Sequence, residues 1–437
     1  MIQPQASEIQ DLVRQLHRQQ TAWLPCGLGS RLDWGPPLRQ PCELLSCARL
    51  DRIVEHNPGD FTLTVEAGTP WAVIQDLLAR EQQWLALDPA WGSQPGQAGA
   101  PPAAAGSIGG LVARGLAGGY RQRWLGVRDQ LLGLRLLRAD GTEARAGGRV
   151  VKNVAGYDLM RLFCGSWGSL GLITELTLRT QPLPPCRRGL QLQGPLADMA
   201  ALTAWLLGSS LSPERIDWWS PALSQAAGLP PRFGLLIGLA SVDADSLNEQ
   251  IGWLRERAAS LSDNRLSAEE LSAGALAERI AIASHPADEA SAAQEADRAD
   301  RTDSAAQAAQ PDWLLRLGVA PARAAELLQR NELAAVPLEL AAGSGLGLAW
   351  SGPDQLQPAQ VSALRRCCEQ LGGYLMLLRQ PPQSSLAAWG DAPARPLIEA
   401  LKQRFDPLRQ LAPGRLPGVA DPSGPVQSSP VQSGSIR

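Results

Sequence analysis

The chain has 437 residues, of which 44% are apolar and 19% charged, with a formal net charge of −3. At about 150 residues per domain this is enough for two or three domains with a buried core. No basic block gives nucleic-acid binding its electrostatic footing, and no apolar run reaches the roughly 18 residues of a membrane span.

Seven cysteines, an odd number without a C-x-x-C pair, argue against a disulfide framework and against a zinc or iron–sulfur site. They fit reduced thiols in a cytoplasmic compartment. The N-terminus lacks the apolar centre of a signal peptide, so any association with the inner face of a membrane is expected to be peripheral and through a partner. The three histidines, His17, His56 and His285, all fall in polar or turn-forming sequence and read as solvated. Tryptophan outnumbers the other aromatics, 14 against 4 Phe and 3 Tyr, and reads as filling for cores and interfaces.

In chain order, residues 7–20 predict a helix with Ile9, Leu12, Val13 and Leu16 on one face and Ser7 as its cap. "AWLPCGLGSRLDWG" follows, a short apolar run with a Gly-rich turn at Gly27 and Gly29. "FTLTVEAGTPWAVIQDLLAREQQWLALDP" reads as strand, turn, helix, strand, with Pro70 at the start of a helix over 71–83. Residues 88–106 are a Pro/Gly/Ala loop. Beyond it come a glycine-rich turn at Gly106–Gly110, a short helix and a hairpin about Asp140-Gly141. In "VVKNVAGYDLMRLFCGSWGSLGLITELTLR", Asp158 to Phe163 reads as a short helix and Leu172 to Arg179 as an alternating strand. Three prolines then mark a boundary near residue 185.

The following region alternates strand and helix patterns, for example "RFGLLIGLAS", "DADSLNEQIGWLRERAASL" and "VPLELAAGSGLGLAWSG". Residues 284–311 are Ala/Asp/Ser/Gln-rich and read as a disordered or loosely helical insertion. The Pro/Ser/Gly/Gln-rich tail from Gly418 reads as disordered.

The glycine-rich turns follow apolar strands, where backbone N–H groups can form an anion-binding nest. A pyrophosphate suits such a nest, although ordinary tight turns are an equal reading of the spacing. No segment has the G-x-G-x-x-G fingerprint between strand and helix, which disfavours a nicotinamide-type Rossmann site.

Taken in order, "PCGLGSRLDWG", "TVEAGTPWAVIQDLLA", "LDP", "GSIGGLVARG…YRQRWLGVRDQLLGLRLLRADG", the stretch Val150–Arg179 and "FDPLRQLAPGR" resemble FAD-linked oxidases of the vanillyl-alcohol-oxidase type. The resemblance implies an α+β protein. Its parts would be a two-subdomain PCMH-type FAD-binding domain over 1–185, an α+β cap over 186–399, a return to the FAD domain over 400–417 and a tail over 418–437. It implies that FAD is held by Cys26, Gly27, Leu28, Gly29, Ser30, Pro89, Gly106, Ser107, Ile108, Gly109, Gly110 and Ile173. Neither Gly-rich loop has the histidine that tethers the flavin in many members, so the FAD is expected to be noncovalent.

Catalytic members of the 2-hydroxy-acid branch carry His-Ala-Gly-Asp-Gly-Asn-Leu-His in the cap. The similar segment here is "AAGSGLGL", Ala341 to Leu348, with both histidine positions apolar. No general base is identified; Tyr374 and Arg379 are weak candidates for reaching a site. The resemblance thus implies an FAD-binding subunit in a glycolate oxidase complex, beside a catalytic FAD subunit and an iron–sulfur subunit. Two alternatives stand: an independent FAD-dependent glycolate or D-lactate dehydrogenase, and a flavin-free scaffold, which Cys26 in place of a usual glycine mildly favours.

Overall fold

The computed structural model describes residues 1–88, 106–149, 157–263, 265–284, 312–352 and 354–420. Pro89, most of the Pro/Gly/Ala loop, Val150–Gly156, the insertion beyond Ser284 and the tail beyond Ala420 lie outside these residues.

The first unit is small and built around two parallel strands, Trp23–Cys26 and Glu43–Ser46. The helix Ile9–Arg18 covers them with Ile9, Val13 and Leu16, the three-and-four spacing of an apolar helical stripe. Ser7 does not cap this helix. The residue before its first turn is Glu8, whose carboxylate instead accepts from the Gln5 amide at 2.9 Å.

The second unit is an antiparallel sheet of five strands in the order Ile53–Asn57, Thr62–Glu66, Leu172–Arg179, Leu131–Leu137, Glu143–Gly147. Leu172–Arg179 lies at its centre because both faces of this strand are covered. Leu176 and Leu178 are fully buried in one core. On the opposite face Thr177 shares a 3.0 Å hydroxyl contact with Thr64, its direct cross-strand partner. The helix Trp71–Arg80 starts immediately after Pro70 and buries Trp71, Ile74, Gln75 and Leu78.

An eight-stranded antiparallel sheet follows, opening with Cys186–Gln193. Its order is Ser267–Leu271, Cys186–Gln193, Gly234–Ser241, Arg215–Trp219, Leu338–Ala341, Leu346–Ser351, Trp313–Gly318, Tyr374–Arg379. The segment resembling the histidine-bearing motif is thus a hairpin inside this sheet, and Ala341 and Leu348 are buried in it. Helices Leu196–Gly208, Ala244–Ser262 and Pro358–Gln370 contribute buried leucines to its core.

The chain then comes back to the first unit. After the helix Arg395–Phe405, Leu411 forms a parallel bridge with Trp23. The Trp23 amide donates to the Gln410 carbonyl and the Ala412 amide donates to the Trp23 carbonyl, both at 2.9 Å. Lys402 fixes this return. Its buried ammonium donates to Asp406 at 2.6 Å and to the carbonyls of Ser169 and Leu411, each at 2.8 Å. A buried charge is tolerable only when paired and hydrogen-bonded in this way.

Candidate cofactor cleft

A cleft with about 1060 Å³ of open space lies where the two N-terminal units, the strand end at Ile173 and the returning C-terminal segment meet. Cys26, Gly27, Leu28, Gly29 and Ser30 form one lip, directly after the strand Trp23–Cys26. Gly106, Ser107, Gly109 and Gly110 form the other, at the start of the helix Ile108–Arg114. Ile173 closes the floor.

The structure thus brings together ten of the twelve residues singled out from the sequence. Pro89 falls outside the described residues, and Ile108 does not face the cleft. Its side chain is fully buried in the core beneath, with Val112 and Ile74. The alternation explains the difference: a helix that starts at a cleft turns every third or fourth side chain inward.

Geometry requires glycine at three of these positions. A Cβ on Gly27 would lie 1.8 Å from the Ser107 hydroxyl, so the two lips approach as closely as backbone allows. A Cβ on Gly109 would lie 2.7 Å from the Ala67 carbonyl. Gly106 has φ +82°, a left-handed conformation that glycine adopts without strain. Ser107 caps the helix, its hydroxyl accepting from the Gly110 amide at 3.3 Å. Cys26 is half-buried and burial pushes its thiol up; the Ser46 hydroxyl beside it donates to the Gly27 carbonyl at 2.8 Å. Cys26 is therefore a neutral, small lining group rather than a thiolate nucleophile.

Sequence reasoning missed the side chains at the far end of the cleft. Arg31, Arg114 and Arg415 all line it, together with Trp34 and Trp167. The Arg114 guanidinium lies 4.2 Å from the Trp167 ring centre and 5.7 Å from that of Trp34. Its Nη2 donates to the Arg31 carbonyl at 2.5 Å. Burial, then repulsion from Arg415 and Arg31, pulls its pKa down to about 9. Arg31 is pulled down to about 10 by burial, with Asp33 acting the other way. Arg415 donates to the carbonyls of Leu32 and Pro36, so the returning segment holds the loop that follows the glycine lip. The tryptophan excess was the available signal, and three arginines separated by 83 and 301 positions gave none.

Arg379, a weak candidate from the sequence, is bound to Asp33, and Gly35 donates to the Leu378 carbonyl at 2.7 Å. The edge strand of the large sheet is thereby fastened to the loop of the cleft. Tyr374, on the same strand, is half-exposed and does not line it. His17 contacts Gln410 and His56 contacts Gln83, both away from the cleft. Among the described residues no group of histidine, cysteine or carboxylate side chains could hold a metal ion.

A second concentration of charge joins the N-terminal units to the large sheet. Arg215, fully buried, contacts Asp217 and donates to Glu339 at 3.0 Å, with Asp88 at 3.9 Å. Asp88 also accepts from the amides of Gly118 and Tyr120, each at 3.1 Å. Burial, reinforced by Asp217, pushes Glu339 up to about 8. The surrounding carboxylates raise Arg215 against its own burial. This cluster does not line the cleft.

Comparison with known proteins agrees with the fold. Residues 4–147 match the family described as "FAD binding domain". The glycolate oxidase subunit GlcE of Escherichia coli is 36% identical over 180 residues, 40% of this chain and 47% of that protein. The glycolate oxidase subunit GlcD of Bacillus subtilis is 32% identical over 181 residues, 41% of this chain and 36% of that protein. A probable mitochondrial D-lactate dehydrogenase of Danio rerio is 31% identical over 180 residues, 40% of this chain and 34% of that protein. The chain therefore spans less than half the length of these relatives. An alkyldihydroxyacetonephosphate synthase structure superposes with a TM-score of 0.64 at 14% identity, covering 94% of this chain and 75% of that one. No described helix is long and apolar enough to cross a membrane. The family match over residues 4–147 and the similarity to these flavoprotein relatives both fall on the part of the chain that carries the glycine-lipped cleft, and both point to FAD as the cofactor bound there.

Proposed function

We propose that this protein is the FAD-binding subunit of a glycolate-oxidising complex, acting beside a catalytic flavoprotein and an iron–sulfur subunit. The observation that supports this reading best is the pair of glycine lips. Gly27 packs closely on the Ser107 side chain, and both glycine-rich segments line the cleft, the kind of backbone surface that a diphosphate needs. The cleft between these lips runs on to Trp34, Trp167 and Arg415, an extended site rather than a single pocket. In this reading FAD is noncovalent and held by Cys26, Gly27, Leu28, Gly29, Ser30, Gly106, Ser107, Gly109, Gly110 and Ile173. Pro89 belongs to the same proposed set on resemblance alone.

When bound, FAD supplies a two-electron acceptor for oxidation of a carbon bearing a hydroxyl group. The chain's own part is to grip the diphosphate with backbone N–H groups, to exclude water with Trp34 and Trp167, and to present cationic groups at the far end of the cleft. No histidine, aspartate or glutamate among the described residues lines the cleft. An independent hydroxy-acid dehydrogenase would need a base there, so the role of a partner-dependent flavin subunit is favoured. We assign the domain limits 1–185, 186–399 and 400–417 on the same basis, and a cytoplasmic site with membrane contact only through partners.

The test is expression of the chain alone and together with its partner subunits. Flavin absorbance, released by acid without proteolysis, supports the reading; a colourless protein that ignores added FAD overturns it. Glycolate-dependent dye reduction appearing only in the co-purified complex supports the subunit role. Turnover by the isolated chain would favour the independent dehydrogenase.

A further inference from the structure

We propose that Arg316, a buried residue of the large sheet, is a positioning residue for the cofactor cleft: with Asp88 it holds residues 116–120 between the sheet and the cleft, so that FAD binding is linked to the contact between the two. This rests on the flavin reading above and concerns what sets the shape of the cleft rather than what fills it.

Two sets of contacts meet on this segment. On one side lies a single face of the large sheet. Asp217 and Ala341 are direct cross-strand partners, as are Trp219 and Glu339, Glu339 and Leu348, and Leu348 and Arg316, so these side chains share that face. From it, Arg316 Nη2 donates to the Ala117 carbonyl at 2.6 Å, which commits a buried guanidinium to the backbone of the N-terminal part of the chain. The fit around this bond is close. A Cβ on Gly119 would lie 2.6 Å from the Asp217 carboxylate, and one on Gly343 would lie 1.6 Å from Gln122 Oε1. Asp88 completes the grip by accepting from the amides of Gly118 and Tyr120, and a Cβ on Gly118 would lie 2.4 Å from its Oδ2.

On the other side the segment belongs to the cleft. Leu116 lines it and packs as well against the apolar cluster of the large sheet. Leu116 is bonded directly to Ala117, and consecutive Cα atoms lie about 3.8 Å apart, so a shift of the carbonyl that Arg316 holds reaches the cleft wall within one residue. Just before it, Gly115 ends the helix Ile108–Arg114 with φ +64°, and a Cβ there would lie 2.8 Å from the Gly165 nitrogen. The amides of Gly165 and Trp167 donate to the carbonyls of Val112 and Ala113 at 3.0 and 2.9 Å. The helix end is thus fixed to the wall that carries Trp167 and Gly168, and slack introduced at Ala117 falls on Leu116. Close-packed interiors transmit such displacements because they have few voids to absorb them. Neither Arg316 nor Asp88 lines the cleft, so both act on it through this segment.

The experiment titrates FAD into wild-type chain, Arg316→Met, Arg316→Lys and Leu254→Ala by flavin fluorescence, and follows amide hydrogen exchange over residues 111–120 in the same proteins without FAD. Leu254 is fully buried in the helix Ala244–Ser262 and does not line the cleft, so its variant controls for loss of stability alone. An apolar side chain in place of a buried guanidinium is compatible with folding, and Arg316→Gln carries the same expectation should Arg316→Met not fold. FAD affinity is expected to fall about fivefold in Arg316→Met and to recover in part in Arg316→Lys, whose ammonium can still donate to a carbonyl. It should change by less than about twofold in Leu254→Ala. Exchange over 111–120 should be faster in Arg316→Met than in Leu254→Ala. Unchanged FAD affinity in Arg316→Met, or an equal loss in Leu254→Ala, overturns the linkage and leaves the flavin reading intact. Exchange no faster in Arg316→Met than in Leu254→Ala overturns it as well. A wild type that takes up no FAD overturns the flavin reading and the linkage together.

Discussion

The cleft and the Arg215 cluster are both buried places where charge gathers, and they are solved in opposite ways. At the Arg215 cluster three carboxylates surround one guanidinium, every strong contact is made within the protein, and burial drives Glu339 to hold its proton. At the cleft the excess has the opposite sign: Arg31, Arg114 and Arg415 line it, Asp33 acts on all three, and burial pulls Arg114 down to about 9. Neither cluster pairs every buried polar atom among the described residues: Arg215 Nη1 and Asp217 Oδ1 in one and Arg114 Nη1 in the other have no hydrogen-bond partner, so the two differ in the sign of their charge rather than in completeness. Glycine serves both regions in the same way: Gly119 is close-packed against Asp217, Gly27 against Ser107 and Gly109 against Ala67.

The largest effect should come from breaking the Arg215 cluster. Arg215→Met leaves Asp217, Glu339 and Asp88 facing one another in a buried site. Removing one partner of such a network costs about 3–5 kcal/mol, read as a lowered urea midpoint. A loss below about 1 kcal/mol would mean that the cluster is hydrated and not a joint.

At the cleft, Gly27→Ala should act on the ligand more than on the fold. Gly27 does not have a left-handed backbone, so the new methyl group is objectionable only for the space it takes, 1.8 Å from the Ser107 hydroxyl. FAD affinity should fall about a hundredfold, near 2.7 kcal/mol. Stability should fall by about 1 kcal/mol through the disturbed Ser107 cap. Gly59→Ala is the control: Gly59 lies outside the cleft, its Cβ would meet nothing within 4 Å, and the substitution should leave FAD affinity unchanged.

The two regions also differ in how much of them the sequence discloses. The lips were readable because glycine is written in the sequence and follows apolar strands, and Leu172–Arg179 because period-two alternation survives at the centre of a sheet. The return of "FDPLRQLAPGR" came from resemblance; the structure supplies its physical cause in Lys402, Asp406 and Leu411. Arg215, Asp217 and Glu339 were invisible. Their strands are central, and charged residues there interrupt the expected apolar pattern rather than announcing a partner 124 positions away. Ile108 shows the converse limit. A motif names a neighbourhood, and helical rotation decides which of its side chains points into the core.

Glu339 provides a pH test of the first region. Its pKa is raised by burial from the usual 4.5 to about 8 in the folded chain, so between these values the folded state binds more protons than the unfolded one. Stability from this group is present at low pH and is lost as pH rises towards and past 8. Arg215, Asp217 and Asp88 face it and stay in place in Glu339→Gln. Raising pH from 6 to 9 should therefore lower the wild-type melting temperature by about 2 °C or more relative to Glu339→Gln, the variant lacking this proton. Parallel curves for the two proteins would show that Glu339 is ionised throughout.

The smallest effect separates the regions most sharply. Asp33→Asn removes a carboxylate that acts on Arg31, Arg114 and Arg415. Because Asp33 is half-exposed, its pairing with Arg379 contributes only about 0.5 kcal/mol or less to stability, so the urea midpoint should fall only slightly, and by less still near 1 M salt, where screening acts over about 3 Å. A loss above about 2 kcal/mol would mean that Asp33 is a structural joint, and the cleft would then resemble the Arg215 cluster after all.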